Sequence, residues 1–219
     1  GPYPTLDSQK LFFERLQNSL RAMPEVAETA LAAGVPPGNG GFYGGVQLQI
    51  EGREPQSLGG PETLLPFNSV AADYFQVMRI PIVRGRAFDA QDVAGTAPAV
   101  IINQPLASRF WPDGDPIGQR IRISERLPWL TVVGVAGDVK ARGPGDPDGS
   151  DEIYTPLAQG SSLARTTVVI RTRAAPAGSI DAVKRRVWEI DPALPVSEID
   201  TAEDLLAGGG MEQQLLVRH

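Results

Sequence analysis

Four blocks decide how this chain folds: FNSVAADYFQVMRIPIVRGRAF at Phe67–Phe88, VIINQPLASRFWPDGDPIGQRIRI at Val100–Ile123, WLTVVGVAGDVKARG at Trp129–Gly143 and IYTPL at Ile153–Leu157. Short apolar runs of four to eight residues bounded by turn residues are the mark of strands. On that basis Leu64–Val70, Ala99–Ile102, Trp129–Val135 and Ile153–Leu157 read as strands. Ile117–Ile123 alternates Ile with Arg or Gln and reads as a further, half-solvated one. Ala71–Val77 and Pro105–Phe110 read as short helices, the first anchored to the sheet by Tyr74 and Phe75. WPDGDP (Trp111–Pro116) and RGPGDPDGSD (Arg142–Asp151) supply the Asp, Gly and Pro that turns require.

Outward from these blocks the pattern changes. Phe12, Leu16, Leu20 and Met23 recur at helical spacing, so Ser8–Ala22 is expected to be an amphipathic helix, stopped by Pro24. Val26–Ala33 reads as a buried strand, GVPPGNGGFYGG (Gly34–Gly45) as a loop, and Val46, Leu48 and Ile50 as one face of a strand. Past the blocks, Thr166–Arg173 is a β-branched strand. Ser179 is placed to cap a helix striped by Ile180, Val183, Val187 and Ile190, and Val196–Ile199 reads as a strand. Thr201 is placed to cap a short helix, and Gly208–His219 reads as a glycine hinge followed by a short helical pattern. The order α/β, then β-rich, then α/β is most simply an insertion: the outer sections form one discontinuous unit and the middle is inserted into it.

The four blocks, in this order and spacing, resemble the periplasmic core domain of MacB/FtsX-type ABC transporter permeases, most closely the branch of duplicated orphan permeases. The resemblance extends to Ser8–Gly38 and Thr166–Leu206, so nearly the whole chain is covered. It implies an α+β fold in which a discontinuous porter-like α/β subdomain (residues 3–79 and 161–207) carries an inserted β-rich, sabre-like subdomain (80–160), with 208–219 leading into a membrane helix. It further implies an extracytoplasmic, periplasmic location at the inner membrane, between the parent's first and second transmembrane helices. The expected partners are those helices, a second permease copy in a dimer, a cytoplasmic ABC ATPase and a periplasmic adaptor. Such a domain transmits ATP-driven motion and contacts substrate or partner proteins. It is not an enzyme and binds no cofactor, since ATP is handled by a separate cytoplasmic domain.

Composition narrows the alternatives. A net charge of −6 with scattered Lys and Arg argues against a nucleic-acid partner. There is no cysteine, and the one histidine is His219, which excludes disulfides and thiol chemistry and disfavours Ser-His-Asp catalysis and His-rich metal sites. No stretch approaches the ~20 apolar residues a membrane helix needs. Gly1-Pro2 reads as a cleavage remnant and is set aside.

Each candidate site also has a plainer reading. Asp146, Asp148, Asp151 and Glu152 crowd together, but their spacing does not fit an EF-hand and suits a solvated turn. Asp89/Asp92 and Asp113/Asp115 are paired carboxylates in turn-rich segments, with no activating partner visible. The glycines of Gly34–Gly45 lack the Lys-Ser/Thr ending of a phosphate loop. Trp111, Trp129 and Trp188 are expected to pack in the core or at a subdomain interface, and Arg120 and Arg122 to lie on a solvated sheet face. Phe42, Tyr43 and Arg142 are the candidate partner-contact residues; the two aromatics near a loop tip either mark a contact surface or fold back onto the sheet. The runner-up function is a free-standing extracytoplasmic ligand- or peptide-binding module, which calls for an apolar pocket with convergent polar groups. A carboxylate-dependent hydrolase ranks last.

Overall fold

The computed structural model describes residues 3–33, 42–44, 47–54, 56–57, 64–125, 127–137, 151–163, 166–192, 199–201 and 214–218. Arg142, Asp146 and Asp148 lie outside the described residues. Helix α1 spans Leu6–Arg21 and begins two residues earlier than its apolar stripe suggests. Thr5 is the N-cap: its side chain accepts from the Ser8 N–H, and the Ser8 hydroxyl closes the reciprocal half of a capping box. The other helices are α2 (Tyr74–Met78), α3 (Gln104–Phe110) and α4 (Ile180–Ile190). Ser179 stands at the N-cap of α4 but makes no capping bond. A 3-10 turn over Pro176–Ser179 already carries the chain in helical geometry, so no side-chain cap is needed to start the helix.

Thirteen strands among the described residues form one mixed sheet. They are β1 (Val26–Ala32), β2 (Phe42–Gly44), β3 (Gln47–Ile50), β4 (Gln56–Ser57), β5 (Leu64–Val70), β6 (Ile82–Gly85) and β7 (Ala99–Asn103). The remainder are β8 (Arg120–Arg122), β9 (Leu130–Ala136), β10 (Ile153–Pro156), β11 (Thr167–Thr172), β12 (Ile199–Thr201) and β13 (Gln214–Arg218). The order is β12-β13-β11-β1-β5-β10-β7-β9-β8-β3-β4, with β2 paired to β5 and β6 to β9. The splice between outer and middle sections is the parallel pair β5–β10, registered Phe67↔Ile153 to Val70↔Pro156. The first section also supplies β3 and β4 at the far end, beyond the middle strands, through β3–β8.

Three expectations are corrected. Gly34–Gly45 is not loop throughout: Phe42–Gly44 pairs with β5 as Phe42↔Pro66 to Gly44↔Leu64, the strand preference of Phe and Tyr outweighing the surrounding glycines. The run EGREPQSLGGPET (51–63), whose glycines and prolines read as turn, includes β4, a two-residue edge strand on β3. Instead of the helical pattern expected within 208–219, Gln214–Arg218 is a strand between β11 and β12, antiparallel to both. The consecutive Leu215, Leu216 and Val217 suit a strand sandwiched in a sheet as well as they suit a helix, and backbone pairing on both sides decides it. The short helix expected after Thr201 lies outside the described residues.

Apolar side chains sort onto the two faces. On one face α1 and α4 press Phe13, Leu16, Leu20, Val183 and Val187 onto Val168 and Ile170 of β11. The opposite face carries α2, whose Tyr74, Phe75 and Met78 meet Ala30, Val70, Ile101, Tyr154 and Val169. Further along the first face, Leu106 and Phe110 of α3 pack with Trp111 on Leu48, Ile50, Ile121 and Val132. Ile101 belongs to the α2 cluster while Val100 and Ile102 belong to the α3 cluster, the period-two alternation of a strand buried on both sides. The chain's start is tied in as well. The Tyr3 hydroxyl donates to Asp191 Oδ2 at 2.8 Å, and Gln9 bridges the Tyr3 carbonyl (3.1 Å) and the Leu163 N–H (2.7 Å).

Candidate functional site

The carboxylate pairs resolve into turn supports. Asp92 is 5% exposed and takes both forks of Arg86, with Nη1 to Oδ2 at 2.7 Å and Nη2 to Oδ1 at 3.0 Å. Its Oδ2 also accepts the Asp89 N–H at 2.8 Å, and Arg86 Nη1 lies 3.3 Å from Asp89 Oδ2. The hydrogen bonds from Arg86 hold the Asp92 carboxyl below its ordinary value, against the opposing effect of burial. A carboxylate held ionised by a bidentate arginine is a poor proton carrier. Asp115 Oδ1 accepts the Ile117 N–H at 3.0 Å, a local turn bond. Asp151 is bonded to Arg109 at 2.8 Å, and burial pushes its carboxyl up despite that partner. Among the described residues no three His, Asp or Glu side chains gather as a metal-binding group.

A groove of about 210 Å³ opens between α1 and the segments 88–92 and 156–163. Phe13, Leu31, Val70, Leu157 and Leu163 make an apolar floor, and Lys10, Glu14, Gln17 and Asp89 stand among the lining polar groups. Lys10, Glu14 and Gln17 share one side of α1 by their i, i+4, i+7 spacing. Sequence reasoning missed this groove because its walls come from three distant segments. The signal for the Arg86 partner of Asp92 lies in RGRAFDAQD, where Arg86 precedes Asp89 and Asp92 by three and six residues.

Two arginine clusters stand out. Arg171 on β11 keeps 7% of its side-chain surface and lies 3.4 Å from Glu28 Oε2, while its Nε and Nη2 make no hydrogen bond. Burial lowers its pKa, and the nearby Arg79 lowers it further. Glu28 Oε1 in turn accepts from Gln76 Nε2 of α2 at 2.8 Å. On the far end of the sheet, Arg120 and Arg122 lie over the half-buried Trp129 ring, 5.7 and 4.6 Å from its centroid. They are therefore not simply solvated, as the alternation on β8 suggested.

The tryptophans divide. Trp111 is buried at 4%, and Trp129 packs under the two arginines. Trp188 is 43% exposed, contrary to the core or interface packing expected of it: Val183 and Val187 take the inward stripe of α4 and leave position 188 on its outer side. For the candidate contact residues, the backbone of Phe42 and Tyr43 is strand β2, while their side chains and Arg142 lie outside what is described. No helix among the described residues is long and apolar enough to cross a membrane.

Comparison with known proteins places this architecture. Several solved structures share the fold. The periplasmic region of MacB from Actinobacillus actinomycetemcomitans superposes with a TM-score of 0.52 at 12% identity, covering 80% of this chain and 72% of that one. The extracellular domain of the noncanonic ABC-type transporter YknZ from Gram-positive bacteria gives 0.51 at 16% identity, covering 92% and 87%. A domain of a permease protein from Porphyromonas gingivalis gives 0.50 at 14% identity, covering 91% and 76%. In sequence, a macrolide export ATP-binding/permease protein MacB 1/2 of Paracoccus denitrificans is 32% identical over 112 residues, 50% of this chain and 16% of that protein. The MacB protein of Neisseria gonorrhoeae is 38% identical over 66 residues, 30% of this chain and 10% of that protein. The chain thus spans a small part of the relatives it matches. Residues 14–190 match the family described as the MacB-like periplasmic core domain, and with both faces of its mixed sheet packed as described, the chain belongs to that family.

Proposed function

We propose that this chain is the extracytoplasmic part of an ABC-type permease subunit. It carries conformational change driven by a cytoplasmic ATPase to substrates or partner proteins on the outer side, and it acts as one of two copies in a permease dimer. The observation that carries the reading is the continuity of the sheet. Strands of the porter-like sections and of the sabre-like insert are joined through β5–β10 and β10–β7 and packed on both faces. A body hydrogen-bonded throughout moves as a lever: displacement at one end is delivered at the other instead of being absorbed by a soft hinge. Any partner that responds must bind the two positions with different free energy.

The arginine-locked carboxylates fit a mechanical part better than a catalytic one. The alternative, a free-standing ligand-binding module, draws support from the groove beside α1. At about 210 Å³ it is smaller than the ~300 Å³ at which small-molecule pockets usually begin.

This chain has no cysteine, so once any cysteine elsewhere in the permease is replaced, one introduced thiol reports a single position. Val93→Cys, at a 40% exposed position, is introduced into the intact permease and spin-labelled. Before labelling, the free cysteine is expected to react with a membrane-impermeant thiol reagent from outside the cell. The distance between labels on two copies should shift when the ATPase is trapped with ATP and vanadate. An unreactive cysteine, or one distance distribution in all nucleotide states, would overturn the lever reading.

A further inference from the structure

The end of the sheet built from β3, β8 and β9 has two unlike faces. Ile50, Ile121 and Val132 point into the core beside α3. Register pairs Gln49 with Arg122 and Arg120 with Thr131 on the reverse side, which stays open to solvent: the Arg120 and Glu51 side chains keep 45% and 49% of their exposure. On this open face the two guanidiniums are held in place. Arg122 lies over the Trp129 ring and donates from Nε to Gln49 Oε1 at 2.6 Å. Arg120 lies over the same ring and gives Nη1 to Glu51 Oε1 at 2.8 Å. Each bond engages one nitrogen and leaves others of the same fork for an incoming acceptor. Two guanidiniums against one carboxylate make a positive patch on a chain whose net charge is −6. Arginines fixed by stacking have already lost the freedom that binding would otherwise cost them. Arg and Trp are also the residue types on which protein interfaces concentrate their energy.

We infer that this face docks an acidic segment of a partner protein, its carboxylates seated on Arg120 and Arg122 and its chain lying against Trp129. The inference rests on reading the domain as the partner-contacting part of a permease, and charge complementarity selects the occupant. Fork-to-carboxylate pairing needs the planar guanidinium, so lysine is a poor substitute.

The test titrates the ¹⁵N-labelled chain with an octaglutamate peptide at ~0.15 M salt, where long-range attraction is largely screened. The Trp129 indole N–H and Arg122 Nε–H resonances are expected to shift and saturate. The double variant R120Q/R122Q should bind at least ~10-fold more weakly, and R122K, which keeps the charge and lacks the fork, should also lose affinity. An octalysine peptide should leave both resonances in place. If the double variant does not fold, R122K and W129F carry the comparison. The inference falls if folded variants bind the peptide as the parent does, or if the shifts appear on other elements. It falls equally if inorganic phosphate produces the same shifts at the same concentration, which would make the face a general anion sink. The spin-label distances in the intact permease do not depend on this face, so a failure here leaves the lever reading standing, and a failure there is separately visible.

Discussion

Asp92 shows how one side chain sets a loop and a pH dependence together. Its bidentate bond to Arg86 and its acceptance of the Asp89 N–H shape the turn after β6. Because the folded-state pKa is lowered, the native state binds this proton less tightly than the unfolded chain does. The resulting stability is present above the unfolded value of ~3.9 and is lost as pH falls through the lower, folded value. Asp92→Asn is therefore expected to cost about 2 kcal/mol near neutral pH. It should also flatten the acid limb of stability against pH, measured by urea unfolding from pH 7 to pH 2. Asp151 runs the other way. Its raised pKa means the folded state holds the proton more tightly, so acidification offsets part of the loss. Arg171 makes a contrasting case of incomplete compensation, with its Nε and Nη2 unbonded beneath α2. Replacing a buried ion pair as a whole by apolar side chains is often neutral, whereas removing one partner alone is not. The double variant Glu28→Met/Arg171→Met should stay within about 1 kcal/mol of the parent, while Glu28→Ala alone should lose about 3 kcal/mol, both by chemical denaturation.

At the scale of elements, β9 is the strand most constrained by its neighbours. It pairs with β7, β8 and β6, and Gly134 sits where a Cβ would meet the Arg86 carbonyl oxygen at 2.2 Å. The obstructing atom is backbone and cannot swing aside, so Gly134→Ala should destabilise by about 3 kcal/mol or more. A midpoint in urea within 0.2 M of the parent (a shift worth ~0.4 kcal/mol at typical slopes) would contradict this. Much at this scale was legible in sequence. The stripes of α1 and α4, the β-branched run of β11 and the short apolar runs of β5, β7, β9 and β10 each carry their own periodicity. The rest was not legible, for identifiable reasons. β6 (Ile82–Gly85) reads IVRG and is exposed along most of its length, so it carries no apolar alternation and exists because β9 offers it backbone partners. β2 and β4 are two or three residues long and depend wholly on β5 and β3. The leucines before Arg218 favour helix and strand alike, and only the strands on either side choose. The groove and the Arg–Trp cluster were hidden for the same reason: Gln49, Arg122 and Trp129 become neighbours through strand register, which no local pattern encodes.

For the molecule as a whole, the proposed division into an outer unit and an insert has a measurable consequence. Among the described residues, strand pairing joins the two parts at two places, β5–β10 and β3–β8, so neither part can open without breaking backbone bonds of the other. A single cooperative unfolding transition is expected, with far-ultraviolet dichroism and tryptophan fluorescence giving coincident curves. Trp111 and Trp129 report the middle section, whereas dichroism is weighted toward α1 and α4 in the outer one. Two separated transitions would mean that the parallel splice is too weak to couple the parts, and the lever reading would weaken with it.

The bond from the Tyr3 hydroxyl to Asp191 joins groups 188 positions apart, and burial, aided by that bond, pushes the tyrosine pKa up to about 12. It therefore stays protonated, and able to donate, through the whole range in which cells live. Mechanically it acts as a cleat. A tug on the first residues loads the far end of α4 at the same instant as α1, so the two helices share the strain side by side. Peeling α1 from its strand turn by turn would first require this knot to slip.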